Sequence, residues 1–465
     1  METPTDLIAL KTGNDRFSDL PEYIILHVLS IIGSNDIVGL SYVSRKFRQL
    51  TMCSRNLYFK LGGFLNQHNE PQIDRFRLHW FCRASRYDVK GSIFSLCVQK
   101  ALRHKVQELD IGVPVTAGRA FHLPAGIESL RALKLEFQGG KPKLFALVFA
   151  SLETLLLSSV SVPGLELGEW MSHSCRSLKV LNLVDVDGIK DLNISNSCLK
   201  ALTVSSCSAI KPRDLYYRYT RWYDTAPEDS IIFIHCSSLE KLEICKCGFD
   251  NLYLNVNAPC LKDLQISNCE IYGSFDVRIS AEQLQTLCLT MELSFSLPEA
   301  SLSRCRIYSD NLRSLSKAII NLAVPYSSTL GIGDYMCKEF NSNGLVEFIY
   351  SVRYAKSLQL NFQIIAALSN HAQLQNITFR HLEHLEASVV DLNNLKDIDI
   401  ADFLRCCSCL DTLTFRYDSN ADQLSETELV DQLRSKLGDE CGNTRFACRV
   451  INCKDSENKG FNGRV

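Results

Sequence analysis

The sequence predicts an α/β chain in which a three-helix N-terminal module precedes a solenoid with a parallel concave β-sheet. Three observations lead there. A leucine-rich nine-residue template recurs through most of the 465 residues. A short, dense apolar helix pattern stands alone in front of it. Between several template copies lie second apolar runs that alternate and are too short for helices.

Composition sets the bounds. Apolar residues make up 46% of the chain and charged residues 22%, so a sizeable core is expected and wholesale disorder is not. With 50 Lys+Arg against 52 Asp+Glu, no basic excess points to nucleic acid as a partner. The first residues, METPTDLIALKTGNDR, lack the basic start and long apolar run of a secretory signal. No stretch reaches about 18 consecutive apolar residues, so no membrane span is expected. Twenty Cys without a signal then read as free thiols of a reducing compartment, cytoplasmic or nuclear.

The front module occupies residues 15–55. Leu20 and Pro21 are followed by Ile24, Ile25, Val28, Leu29 and Ile32, spaced by threes and fours on one helical stripe. Pro21 suits a first helical turn, where its missing N–H is not needed, and Asp19 is placed to cap it. Gly33-Ser34-Asn35 stops this helix; Ile37, Val38 and Leu40 belong to a second, and Val43, Phe47 and Leu50 to a third. Three short helices in roughly 35 residues cannot bury that much apolar surface among themselves. A partner, or the rest of the chain as a cap does for a repeat array, must cover the excess.

Residues 56–95 bridge to the body. IDRFRLHWFC from Ile73 alternates as a strand, and IFSLCVQKALRHKVQEL from Ile93 reads as a helix leading into the first repeat.

The solenoid is expected over residues 96–420. The template L-x-x-L-x-L-x-x-(N/C) appears at Leu130, Leu152, Leu178, Leu199, Leu239, Leu261 and Leu284, with a looser copy at Val106. Further candidates start at Leu302, Ala355, Leu382 and Leu410. Its second position falls at Leu109, Leu133, Leu155, Leu181 and Leu202, with gaps of 24, 22, 26 and 21, the range of leucine-rich repeats. Each L-x-L is a strand with two side chains turned into the core, and stacking builds the parallel sheet. Cys207, Cys247 and Cys269 fall on the ninth place, where a small polar side chain serves the turn, so metal binding is not expected of them. IKDLNIS at Ile189, IIFI at Ile231, NLYLNV at Asn251 and FDVRI at Phe275 read as strands of the convex side. Residues flanking the inward leucines, among them Glu108, Asp110, Asn182, Thr203, Lys241, Glu243, Arg304 and Arg306, should face outward. Their mixed signs suit a protein partner.

One interval breaks the rhythm. Leu202 to Leu242 carries the excess KPRDLYYRYTRWYDTAPEDS, Lys211 to Ser230. Arg213, Tyr217, Arg218, Arg221, Trp222 and Tyr223 are residue types enriched where proteins bind, which makes them candidate substrate contacts; the alternative is a tolerated surface insertion. Residues 421–465 close the chain with a helix from Ser425 to Leu437 and a flexible tail. No Gly-rich phosphate loop, no His-Glu-x-x-His and no convincing Cys/His/acid grouping occurs, so no catalytic residue, metal or cofactor is expected.

DRFSDLPEYIILHVLSIIGSNDIVGLSYVSRKFRQL resembles an F-box of the plant F-box/FBD/LRR-like family. Asp15-Arg16, Leu20-Pro21, the run from Ile25 to Ser30, Asp36 and Val43-Ser44-Arg45-Lys46 carry the likeness. Tyr23 stands where the family usually has Glu, Ile32-Gly33 where it has Leu-Pro, and Phe47 where it has Trp. The resemblance implies a substrate-recognition subunit of an SCF-type E3 ubiquitin ligase. Its F-box would hold a Skp-type adaptor, and through it a cullin–RING core, with a protein substrate on the solenoid. Carried over by position, the adaptor contacts are Leu20, Pro21, Ile24, Ile25, Val28, Leu29 and Leu40. Catalysis would be positioning by a chain that is not itself an enzyme. The rival reading, motivated by Tyr23, Gly33 and Phe47, is an interaction scaffold without ligase activity.

Overall fold

The protein is described from a computed structural model. The residues it describes are 20–31, 56–59, 73–79, 98–113, 120–123, 127–144, 146–207, 229–293, 306–309, 312–323, 342–361, 364, 365, 368, 377–389, 400–417 and 447–452. The predicted second and third helices of the front module and the helix from Ser425 lie outside them. The chain divides into two compact units: Met1–Thr116 with Phe121–Gln138, and Ala117–Ala120 with Gly139–Val465.

In the first unit, α1 (Glu22–Ile31) lies next to β1 (Asn56–Phe59). β1 pairs in parallel with β2 (Arg75–His79), and β2 with β3 (Glu108–Val113). After the short β4 (Ala120–His122) comes β5 (Ala132–Lys143), which pairs with β3. Phe76, Leu109 and Leu133 stand in register, all buried. The strand expected at IDRFRLHWFC is therefore present, and it is part of the ladder. Residues 98–103 are helical, and Lys105, at φ 52°, turns the chain from that helix into β3.

The second unit begins with β6 (Thr154–Val160), α2 (Gly164–Ser174), β7 (Val180–Val184), β8 (Asp191–Ser195) and β9 (Ala201–Ser205). There follow β10 (Asp229–His235), β11 (Lys241–Cys245), β12 (Gly248–Phe249), β13 (Asn251–Asn257), β14 (Asp263–Ile271), β15 (Phe275–Ser280), β16 (Thr286–Leu293), β17 (Arg306–Ser309) and β18 (Lys317–Ala323). The last part holds α3 (Ser342–Ser351), β19 (Ser357–Asn361), β20 (His384–Val389), α4 (Ile400–Arg405), β21 (Thr412–Tyr417) and β22 (Ala447–Asn452).

Two parallel sheets organise these elements. The long ladder runs β6, β7, β9, β11, β14, β16, β18, β19, β20, β21, β22. The predicted convex strands form the second sheet, ordered β8, β10, β13, β15, β17. Template positions become registered rows. Leu181, Leu202, Leu242, Leu264 and Leu287 stand side by side, as do Leu183, Val204, Ile244, Ile266 and Leu289. All are buried, facing inward like Leu192, Ile232, Leu254 and Val277 of the second sheet. Burying that apolar area in one core is the main stabilising term, on the order of 25 cal/mol for each Å² removed from water.

One repeat was expected in the wrong place. The template-like run from Leu302 delivers β17, which pairs with β15 in the second sheet, so Arg306 does not lie on the ladder. The ladder strand is β18, whose inward pair is Ala318 and Ile320. Both sheets alternate with period two, so L-x-x-C-x-I fits either, and Ala318 hides the true copy from a leucine template.

The eighth template residue explains the turn. Ser159, Asp185, Ser206, Lys246 and Asn268 all take a left-handed conformation, φ 51° to 55°. Each non-glycine residue there costs about 1 kcal/mol or more. The offset is local: the Ser206 N–H donates to Cys245 O (2.9 Å) and the Lys246 N–H to Ser267 O (3.0 Å) in the next repeat. The twist also turns residue nine inward, and there Val160, Val186, Cys207, Cys247 and Cys269 are buried.

Candidate functional site

The front helix starts where Leu20-Pro21 places it. The N–H groups of Ile24 and Ile25 both donate to Pro21 O, at 3.0 and 3.2 Å, so proline opens the first turn. Glu22 adds a carboxylate at the positive end of the helix. Ile25 is buried by the chain itself, whereas Leu20, Ile24 and Val28 are partly exposed and Pro21 is exposed. Tyr23, the residue replacing the family's Glu, is 71% exposed. Leu29 belongs to α1, and Leu40 lies outside the described residues. Part of the stripe thus anchors the helix and part is open.

The outer face of the ladder in the second unit is the larger surface. On β6, β7 and β9 its residues are Thr154, Leu156, Ser158, Val180, Asn182, Val184, Ala201, Thr203 and Ser205, none of them charged. Several of the charges beside this strip are matched. Lys179 Nζ meets Glu153 at 2.7 Å, Lys262 meets Glu240 at 3.0 Å, and Lys241 meets Glu243 at 3.2 Å. Farther along, Arg416 Nε lies 2.7 Å from Glu386 Oε1. An uncharged strip with ion pairs beside it suits a protein-binding face. The face in the first unit is different. Asp110 accepts from Arg77 Nε and lies against His79 Nε2, both at 2.7 Å, with Lys134 at 4.0 Å. Burial alone would raise the Asp110 carboxyl, but the His79 hydrogen bond and the charges of His79, Lys134 and Arg77 hold it below the usual range.

The ninth-place thiols form a buried column. Cys207 donates to Leu183 O at 3.6 Å, Cys247 to Val204 O at 3.7 Å and Cys269 to Ile244 O at 3.6 Å, each reaching back one repeat. All three are free cysteines. The neighbouring Cys207 and Cys269 thiols, together with burial, hold the Cys247 thiol far above the usual range. Burial likewise pushes Cys175 up to about 12 and Cys236 up to about 11. Among the described residues no group of three His, Cys, Asp or Glu could hold a metal ion.

Arg213, Tyr217, Arg218, Arg221, Trp222 and Tyr223 lie outside the described residues. The chain is described up to Cys207 and again from Asp229, the first residue of β10. Asp229 and the buried Ser230 therefore belong to the second sheet, so the interval assigned to the insertion ends at residue 228 and not at 230. Sequence reading turned Asn182 and Thr203 outward but did not single out the uncharged strip on β6, β7 and β9 to which they belong. Its signal was available in the residues flanking each inward pair of those three strands.

Comparison with known proteins joins these surfaces. A family model for the F-box domain matches residues 17–57, which contain α1 and β1. A second, described as the At1g61320/AtMIF1 LRR domain, matches residues 64–214, which contain β2 to β9. The chain carries an F-box and a leucine-rich-repeat domain. Its repeat ladder continues past the matched residues, from β11 to β22. Among similar proteins of Arabidopsis thaliana, the FBD-associated F-box protein At1g66310 is 24% identical over 281 residues, 56% of this chain and 54% of that protein. The FBD-associated F-box protein At3g52670 is 25% identical over 275 residues, 59% of each. F-box/LRR-repeat protein At3g58980 is 28% identical over 213 residues, 41% of this chain and 36% of the other. The chain thus spans about half the length of the two FBD-associated relatives it matches. F-box/LRR proteins act in general as adaptors rather than enzymes. No helix among the described residues is long and apolar enough to cross a membrane.

Proposed function

We propose that this chain is the substrate-recognition subunit of an SCF-type E3 ubiquitin ligase. The observation that carries the reading is an F-box ahead of a repeat ladder whose outer face carries an uncharged strip. The F-box engages a Skp-type adaptor through Leu20, Pro21, Ile24, Val28, Leu29 and Leu40, with Ile25 holding α1 in place from inside. The cullin–RING core follows through the adaptor. The ladder holds a protein substrate, raising the effective concentration of a target lysine near a charged E2, and the chain makes or breaks no bond itself. Residues 211–228, with Arg213, Tyr217, Arg218, Arg221, Trp222 and Tyr223, add to the substrate surface.

Co-purification tests this. Leu20→Ala with Pro21→Ala is expected to abolish recovery of the Skp-type adaptor and cullin while the far-UV circular dichroism of the chain stays unchanged. Undiminished adaptor recovery by the double variant would sink the F-box role. Exposed Tyr23, in place of the family's Glu, favours a second reading, a scaffold that binds the adaptor without supporting ligase activity. Reconstituted ubiquitin transfer with adaptor, cullin, RING protein and E2 separates the two: ubiquitin conjugates form only under the first.

A further inference from the structure

The outer face of the five-stranded sheet is unlike that of the ladder. Its rows run in register across all five strands. One row reads Asp191, Ile231, Tyr253, Asp276, Arg306, and the next reads Asn193, Phe233, Asn255, Arg278, Tyr308. Ile231 and Tyr308 are 37% and 39% exposed. The Arg278 guanidinium lies 5.5 Å from the Tyr253 ring centre and 5.6 Å from that of Tyr308. Phe233 meets Tyr253 edge to face at 6.2 Å. Tyrosine and arginine are the residue types that anchor protein interfaces.

Charge is distributed in a way that selects the partner. Asp276 is matched by Arg278 at 3.2 Å. Among the described residues, neither Asp191 nor Arg306 has an ionic partner, and they stand at opposite ends of one row, four strand spacings apart. The sheet edges are covered, β8 by α2 and β17 by α3, where the Ser309 and Ser351 hydroxyls bond. Strand addition at an edge is therefore closed, and only the face is open.

We propose that this face is a self-association surface and that its occupant is a second copy of this chain. A two-fold axis along β13, lying between two such faces, reverses the strand order while keeping strand direction. Asp191 then meets Arg306 of the partner subunit, Tyr253 lies on the partner's Tyr253, and Phe233 faces the partner's Arg278. The surface is self-complementary, as an isologous contact requires. Four spacings of about 4.8 Å and five residues of about 3.3 Å give a face of roughly 300 Å². That is well under the ~800 Å² per partner of a stable complex, so the dimer is weak and concentration-dependent. Pairing would bring two repeat ladders into one assembly, and a substrate offering two sites would gain avidity. The inference is independent of the ubiquitin-ligase reading.

Sedimentation equilibrium of the purified full chain, over about two decades of concentration around the micromolar range, tests it. The wild type is expected to associate reversibly and to dissociate on addition of salt. Asp191→Arg and Arg306→Asp should each weaken association by about tenfold or more, and the double variant should restore it to within about threefold. Both positions are exposed, and circular dichroism checks that each variant is folded. A wild type monomeric throughout, a dimer indifferent to salt and to the single changes, or a double variant that stays dissociated would each overturn the proposal.

Discussion

Between β6 and β7 the chain returns through a helix; between β7 and β9 it returns through a strand. α2 has 11 residues and β8 has 5, yet at about 1.5 and 3.3 Å per residue both cover about 16 Å. The helix needs about six more residues for the same return. Repeat length records the difference: Leu155 to Leu181 is 26 residues, whereas Leu181 to Leu202 is 21 and Leu242 to Leu264 is 22. Spacing separates the two kinds only in the compact repeats: the strand returns through β10 and β17 take 40 residues from Leu202 to Leu242 and 31 from Leu287 to Ala318. The junction of the two kinds is tight. A Cβ on Gly168 of α2 would lie 1.8 Å from Asn193 O of β8.

Five substitutions probe the contrast. Leu264→Ala, in the strand-backed part, opens a cavity between two sheets and is expected to cost about 3 kcal/mol in urea unfolding. A loss below about 1 kcal/mol would mean that the two sheets do not share a core. Gly168→Ala tests the helix-backed junction. The helix must move off β8, at about 2 kcal/mol, and a neutral result would show that α2 is not seated there. Cys247→Ala removes the middle thiol of the column and should cost about 1 kcal/mol, with no change in metal content by mass spectrometry. Lys246→Gly relieves a left-handed residue and should leave stability unchanged or raise it by up to about 1 kcal/mol. Lys262→Gly, an exposed lysine not in that conformation, should lower it by about 0.5 kcal/mol. Equal effects at the two lysines would remove the account of the eighth template position.

Much of this architecture is legible in the residues. The leucine spacing predicts the registered rows from Leu155 to Leu287, and the alternating runs at Ile189, Ile231, Asn251 and Phe275 predict β8, β10, β13 and β15. The candidate site was legible only in part. Ile24 and Ile25 are indistinguishable by period, yet one is partly exposed and the other buried, because burial depends on what lies against each side of the stripe. Similarly, nothing near Lys179 in the chain marks Glu153 as its partner; the parallel register brings two residues 26 apart within 2.7 Å.

The sequence by itself determined that the chain is a front module and a repeat array, since a template repeated in register has one economical way to bury its leucines. It also determined which residues face the core, because a strand has only two sides. For the run from Leu302, which sheet the strand joins was decided by the tertiary structure alone. Two parallel sheets in one solenoid share the same period-two signal, so Ile307 and Ile320 read alike until pairing assigns β17 to one and β18 to the other. The outer faces were decided there too. A row from Asp191 to Arg306 draws five residues from distant parts of the chain, and only the pairing of their strands sets them side by side.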